Sequence, residues 1–415
     1  MKLSKFGKKF SGESATVSLM DDLGDALLVN PDLLFMGGGN PSRIVGAETV
    51  YRDTLQSIID DEDAFHKMLG VYQPPQGDPQ FIRSLSMLLN SEFNWGLSEK
   101  NIAISNGSQS AFSVLFNLFA GEQSDGTYKK VHLPLVPEYI GYSDIGFCEN
   151  FYSSTKPAIE LLDDQLFKYH VDFDNLSIDE SVGLLCVSRP TNPTGNVLTD
   201  DEIDRLATTA KNNDIPFVID GAYGTPFPNI IFQDANPIWN ENIILVLSLS
   251  KLGIPGARTG IVIANEQVID AFTKTNTVLS LACGNLGPYI GKELIKNNML
   301  LPLSNNVIQP FYKDSASQAL AWLKELFVGF SCRVHRPEGA IFLWIWLEGL
   351  PITSKELYNR LKQKGLLVLA GEDFFIGVDE EWQHQYECLR VTYCQKPEVV
   401  YKGLQMIAEE VRSLF

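Results

Sequence analysis

Short apolar runs recur through the middle of the chain: Val131 to Leu135, Gly183 to Val187, Pro216 to Ile219, Ile243 to Leu247 and Gly260 to Ala264. Each has the length and near-continuous apolar character of a strand buried on both faces. Between the second and third, Thr199-Asp200-Asp201-Glu202 forms a capping box, followed by Ile203, Leu206, Ala207 and Ala210 at helical spacing. Buried strands alternating with helices predict a largely parallel sheet covered by helices. Upstream, residues 51 to about 120 are patterned as helices. The strand-like Ile102-Ala103-Ile104-Ser105 interrupts them, and Asn106-Gly107-Ser108 then opens a helix to Ala120. From about 285 the pattern changes. A helical stretch runs to 327 with a proline-containing break near 302–310, then strands are predicted near 331–335, 340–347, 366–369 and 387–394. Thr353 to Glu356 offers a second capping box, and Val400, Leu404, Ile407 and Val411 mark one face of a terminal helix. The expected fold class is α/β. A large domain over 51–300 carries the parallel sheet, and a smaller α+β domain is built from 1–50 and 301–415.

Charge and cysteine usage narrow the function classes. The chain has 33 basic and 51 acidic side chains, a formal net charge of −18. That disfavours nucleic acid and anionic membranes as partners. Six cysteines lie without C-x-x-C spacing and five histidines form no ligand pair, so reduced thiols and no metal are expected. The N-terminal MKLSKFGKKF is basic, but SGESATVSLMDDLG behind it has no apolar core, which argues against a signal peptide. The aromatic-rich run Ala340 to Leu347 is far too short to span a bilayer. A cytoplasmic protein with no membrane segment is expected.

Candidate chemistry gathers behind the predicted strands, where open α/β sheets bind ligands. Ser248 to Arg258 places one lysine and one arginine, Lys251 and Arg258, in a Gly/Pro-rich loop between two buried runs. A cofactor with an aldehyde and a phosphate calls for that pair. Asp220 ends one strand and precedes Gly221-Ala222-Tyr223; Ser188 to Gly195 follows another; Gly107-Ser108-Gln109 opens a helix after a third. Singly, each has an ordinary explanation as a turn, a cap or a solvated lysine. Their repetition behind successive strands does not. The loop Met36-Gly37-Gly38-Gly39-Asn40-Pro41 lacks the G-x-G-x-x-G order and the following helix, so dinucleotide binding is rejected.

Asn192-Pro193-Thr194-Gly195, Asp220-x-x-Tyr223 and Ser248-x-Ser250-Lys251-(x6)-Arg258 together resemble the signature of the aspartate aminotransferase superfamily of pyridoxal 5′-phosphate (PLP) enzymes. The likeness spans nearly the full length, from Tyr72-Gln-Pro-Pro-Gln-Gly77 to Leu389-Arg390-Val391, with the Lys251–Arg258 spacing one residue shorter than in many relatives. The resemblance implies that Lys251 bonds the PLP aldehyde and moves the proton at the substrate Cα. It implies Asp220 at the pyridine nitrogen, Asn192 and Tyr223 at the ring hydroxyl, and Tyr139 over the ring. Gly107, Ser108 and Gln109, with Arg258, Ser248 and Ser250, would hold the phosphate. Arg390 would grip the substrate α-carboxylate, with Gly39 lining the pocket. Tyr72 would reach the phosphate of a second subunit in a homodimer. The implied partners are small amino acids and 2-oxo acids. Longer runs such as MGGGNP, NGSQSAF, SRPTNPTGN and PEGAIFLW resemble the branch of the family that pairs valine with pyruvate. The same cofactor residues would also serve a C–S lyase. A ligand-sensing regulator would need an added basic DNA-binding segment, which the charge balance disfavours. Arg43 and Arg189 lie near the expected pocket loops, either to meet an acidic substrate or to pair with the chain's own carboxylates.

Overall fold

The computed structural model describes residues 2–12, 14–28 and 33–414. The apolar runs become the middle of an eight-stranded sheet. Its order is Ile102–Ser105, Gly260–Ile263, Ile243–Ser248, Phe217–Asp220, Val182–Ser188, Tyr128–Leu133 and Gly121–Glu122, with Tyr152–Ser154 also pairing with Tyr128–Leu133. Every residue of the strands at 102–105, 182–188, 217–220, 243–248 and 260–263 is buried, which explains why these segments show no apolar–polar alternation. The helix Ser108–Phe119 packs across the strands at 102–105, 243–248 and 260–263, and Asp200–Asn212 packs on 217–220.

Direction matters more than order for the site. Strands 128–133, 182–188, 217–220 and 243–248 are mutually parallel. Strand 260–263 is antiparallel to both 243–248 and 102–105, with Gly260 opposite Ser248 on one side and Ser105 on the other. Its reversed entry therefore starts at the edge where its neighbours end. The residues just before Gly260 are delivered to the carboxyl edge of the sheet, beside the start of the 108–119 helix.

A second, six-stranded sheet has the order Leu369–Ala370, Cys388–Thr392, Phe342–Trp346, Arg333–His335, Leu166–His170 and Ala158–Leu161. The hairpin at 158–170, within the segment expected in the larger domain, joins this sheet through Val334 and His335. It has no apolar run: Glu160, Lys168 and His170 interrupt it. The N-terminal segment enters through Leu34–Phe35, which pairs in parallel with Leu366–Leu367, and through the Met36 carbonyl, which accepts from Thr392 N–H at 2.8 Å.

Local signals set most element ends. The strand expected at 131–135 occupies 128–133 instead, because Pro134 has no N–H to continue a ladder. The break expected near 302–310 is a π-turn, Ser304–Ile308, between Leu300–Leu303 and Gln309–Leu326; Pro310 falls in a first turn, where its missing donor costs little. The Thr199 box is reciprocal: Glu202 N–H donates to the threonine hydroxyl at 3.2 Å and Thr199 N–H to the glutamate at 2.8 Å. At Thr353 only the hydroxyl half forms, since the Glu356 carboxylate accepts from Arg360 at 2.9 Å. Thr199→Ala should therefore lower unfolding stability by ~1 kcal/mol, the usual cost of removing a helix cap, measured by denaturant unfolding.

Candidate active site

The loop at the carboxyl edge has a defined path. Leu249 N–H donates to the Thr259 carbonyl at 3.1 Å, and Ser250 N–H donates to Ser248 Oγ at 3.1 Å. A short 3-10 turn, Pro255–Ala257, follows, and Arg258 closes the loop in the left-handed region at φ 45°. This compact exit accommodates the short Lys251–Arg258 spacing. It sets the Arg258 guanidinium against Gly107, where φ is +92° and any Cβ would collide with it. Gly260 is similarly constrained: its Cβ would lie 2.7 Å from Ser108 N. The 108–119 helix has no side-chain cap. Its first free amides and an arginine with no carboxylate partner among the described residues thus form an anion cradle.

Around this cradle the two sheets meet. Lys251 Nζ donates to the Gly39 carbonyl at 2.5 Å and lies 5.2 Å from the Tyr223 ring centroid. Asp220 is buried at the end of its strand, accepting from Tyr142 Oη and Ala222 N–H, each at 2.8 Å. Arg390, from strand 388–392 of the second sheet, is 2% exposed. Its Nη1 donates to Asn192 Oδ1 at 2.7 Å and its Nη2 to the Gly37 carbonyl, while its guanidinium carbon sits 4.1 Å from the Phe342 ring centroid. Its Nε has no partner, and among the described residues no carboxylate pairs with it. Arginine has no acceptor, so Asn192 must turn its oxygen to Arg390, which leaves its amide hydrogens facing elsewhere.

Burial and neighbouring charge tune the ionisable groups. Burial drives Lys251 down to about 8, with the Arg390 and Arg258 cations acting the same way and Asp220 opposing them. Burial lifts Asp220 to about 6, held back by the Ala222 and Tyr142 hydrogen bonds and by Lys251. Burial lowers Arg390 to about 10, so it stays cationic at neutral pH. Burial raises Tyr223 well above the usual phenol value, so its hydroxyl keeps its proton.

The remaining expected residues divide clearly. Tyr139 is half-buried, edge-on to Tyr142 at 5.3 Å, and its ring occupies the space a side chain at Gly141 would need. Asp220, Arg390 and Arg258 all act on its hydroxyl electrostatically, which puts it in the same site. Gln109 is anchored sideways, donating to the Gly141 carbonyl at 2.8 Å, with its own carbonyl unpartnered. Ser248 is fully buried and its hydroxyl closes the loop. Tyr72 is 82% exposed and hydrogen-bonds to none of the other site residues. Arg43 and Arg189 both take the chain's own carboxylates. Arg43 forks onto Glu48 at 2.7 and 2.8 Å, and Arg189 bonds Asp200 at 2.5 Å. Sequence reasoning missed Tyr142, the Gly37 carbonyl, Phe342 and Glu138. Glu138 accepts from Ser188 N–H at 2.7 Å and also bonds its hydroxyl.

One half-buried lysine, one buried carboxylate, an anion cradle and a second cation with no carboxylate partner among the described residues fit the groups of PLP. Arg258 with the amides after Gly107 suits the phosphate, Asp220 suits a protonated ring nitrogen, and Lys251 suits the aldehyde. The chain belongs to the class I and II aminotransferases, whose family pattern matches residues 46–407. It is 47% identical over 411 residues to the valine–pyruvate aminotransferase of Escherichia coli K12, covering 99% of this chain and 98% of that one. The crystal structure of valine–pyruvate aminotransferase AvtA from Salmonella typhimurium LT2 superposes with a TM-score of 0.89 at 45% identity, over 96% and 99% of the two chains. A Psychrobacter arcticum 273-4 chain described as an amino-acid aminotransferase superposes with a TM-score of 0.97 at 43% identity, over 100% and 99%.

The lysine shift is directly measurable. In the cofactor-free protein, reductive methylation of Lys251, followed by peptide mass spectrometry, should rise with pH through a midpoint near 8. Arg390→Met should move that midpoint upward, because a cation favouring the neutral amine is gone. A midpoint at the ordinary lysine value of about 10.4 would contradict the assignment.

Proposed function

We propose that this chain is a PLP-dependent aminotransferase that moves the amino group between L-valine and pyruvate, giving 3-methyl-2-oxobutanoate and L-alanine in two half-reactions. The observation that carries the reading is Arg390: a buried guanidinium with no carboxylate partner among the described residues, in the same site as a half-buried lysine whose pKa is lowered to about 8. When bound, the cofactor supplies an aldehyde to take the nitrogen and a ring to withdraw electrons from the substrate Cα. Lys251 Nζ, neutral in mildly alkaline solution, takes the Cα proton. Asp220 would hold a proton on the ring nitrogen. The Asn192 amide and the Tyr223 hydroxyl would donate to the ring oxygen. Arg390 receives the α-carboxylate of donor and acceptor in turn, which fits a reaction whose two substrates share only that group and the carbon beside it.

The similarity to valine–pyruvate aminotransferases supports the substrate pair, and so does a cavity of about 340 Å³ beside Lys251. Ile44, Ala47, Leu252 and Ile308 contribute apolar wall to it. The hydroxyls of Tyr51 and Tyr312 are already engaged, with the Leu252 carbonyl and Ser42 N–H, and Arg43 is forked onto Glu48. This wall suits a branched aliphatic side chain better than a second carboxylate. No described helix is long and apolar enough to cross a membrane, and all six cysteines are free, in keeping with a cytoplasmic enzyme.

We further propose a homodimer. Leu69, Val71, Tyr72, Leu279 and Leu281 are exposed on segments tied together by Asn285, whose Nδ2 bonds the Met68 and Val71 carbonyls at 3.0 and 2.8 Å. Gly284 N–H binds Asn106 Oδ1 at 2.9 Å, which sets this apolar surface beside the anion cradle. A second copy would cover it and receive Tyr72.

Two experiments test these readings. Single-turnover absorbance changes with a panel of amino donors should show valine and alanine converting the cofactor far faster than aspartate or glutamate. Lys251→Ala should abolish both turnover and the absorbance of the lysine-bound cofactor. Faster conversion by the acidic donors would overturn the specificity, and pyruvate released from a cysteine conjugate without an acceptor would overturn the reaction. For assembly, Leu281→Asp should yield monomers in sedimentation velocity and lose activity. Tyr72→Phe should remain dimeric and bind PLP more weakly.

A further inference from the structure

Lys168 and Glu338 form a buried ion pair that none of the roles above uses. Lys168 lies on strand 166–170 and is 2% exposed; Glu338 follows strand 333–335 and is 3% exposed. The ammonium donates to Glu338 Oε2, to Asn196 Oδ1 at 2.8 Å and to the Val197 carbonyl at 3.1 Å, which engages all three of its hydrogens. Glu338 Oε2 also accepts from Val197 N–H at 2.9 Å, and its Oε1 accepts from Arg336 Nε at 2.8 Å. Glu338 N–H donates to the Gly195 carbonyl at 3.2 Å.

Apart from Arg336, these partners lie in or just after one tight turn. Gly195 N–H bonds the Thr191 carbonyl at 2.8 Å, and Thr191 N–H bonds the Asn196 carbonyl at 2.7 Å, with Asn192 held between them. Gly195 is at φ +72°, and a Cβ there would come within 2.7 Å of the Gly339 carbonyl, so the turn is pressed against the segment carrying Glu338. The turn follows strand 182–188 of the eight-stranded sheet. Lys168 and Arg390 both belong to the six-stranded sheet. The ion pair thus fastens the Asn192 turn to the sheet that carries Arg390, and Asn192 bonds that arginine directly at 2.7 Å.

Burying such a pair costs desolvation on both partners, and packed apolar side chains of the same volume often serve stability as well. A network with its donors engaged fixes a geometry. We propose that Lys168 and Glu338 are positioning residues that keep Asn192 in register with Arg390, so that the arginine presents one fixed face to the substrate α-carboxylate. This rests on the aminotransferase reading above.

The test compares valine with isobutylamine, the same donor without its carboxylate, in single-turnover reactions of wild-type, Glu338→Gln and Lys168→Met holoenzymes. Wild type should strongly prefer valine. In both variants that preference should fall by ~10- to 100-fold, the scale of a small misplacement of a binding group, through a rise in the KM for valine that exceeds any change in the isobutylamine reaction, since Asn192 meets the ring oxygen with either donor. In the cofactor-free protein, hydrogen exchange at Val197 N–H should speed up in both variants. Should Lys168→Met fail to fold, Glu338→Gln, which keeps the side-chain shape, decides alone. A lowered melting temperature with the preference and the Val197 exchange both retained would make the pair merely structural and overturn the proposal. Absence of any preference in wild type would overturn the aminotransferase reading together with it.

Discussion

A buried guanidinium with no carboxylate partner among the described residues is the constraint on which this site turns. Leaving such a charge uncompensated is costly, commonly several kcal/mol. The chain shows the ordinary solution at Arg189, which is also buried but bonded to Asp200 at 2.5 Å and to the Leu198 and Asn236 carbonyls. Arg390 is treated differently. It has a side-chain amide, one backbone carbonyl and the faces of Phe342 and Phe374, while its Nε stays unpartnered. Neutral dipoles and ring faces hold the cation in place without neutralising it. Three distant parts of the chain must converge to do this: the glycine loop at 37–39, the Asn192 turn and the strand at 388–392. The arrangement of the two sheets follows from that need.

The same view explains the reversed strand. Lys251 must reach the site from the end of strand 243–248, and Arg258 must return to the helix start at 107–108 seven residues later. An antiparallel strand entering at the same edge solves this with one compact loop, and the glycines at 107 and 260 make the room. A helical crossover to a parallel neighbour would carry the chain away from the edge before Arg258 was placed.

Much of this was legible in the sequence because its signals are local. Buried strands read as apolar runs, the Thr199 box is complete within four residues, and Lys251, Asp220 and Asn192 stand directly behind strands. What stayed hidden depends on long-range pairing. The hairpin at 158–170 has no apolar run, so its membership in the second sheet follows only from its pairing with 334–335. Tyr142 reads as one more core aromatic, and nothing in its surroundings announces a hydrogen bond to Asp220, 78 residues away. Lys168 reads as a surface lysine for the same reason, since its partner lies 170 residues on. The Thr353 box failed in one half because Arg360, one turn further along, competes for Glu356 and no sequence template ranks the two.

The local charge balance accounts for the site's selectivity in an acidic protein. The chain carries a formal −18, yet Lys251, Arg258 and Arg390 converge on a site where Asp220 is the facing carboxylate. Glu138 would be a second, but burial lifts it to about 8, so at neutral pH it binds Ser188 largely as the uncharged acid and adds little negative charge. A net negative charge favours solubility, while the cations gathered in this pocket suit anions. On the reading proposed above, a phosphate would meet Arg258 and a carboxylate Arg390. Each would also relieve repulsion on Lys251, because burial sets most of the lowering of its pKa and Arg390 and Arg258 add to it. The lysine is thus most readily neutral while both cations are unpaired.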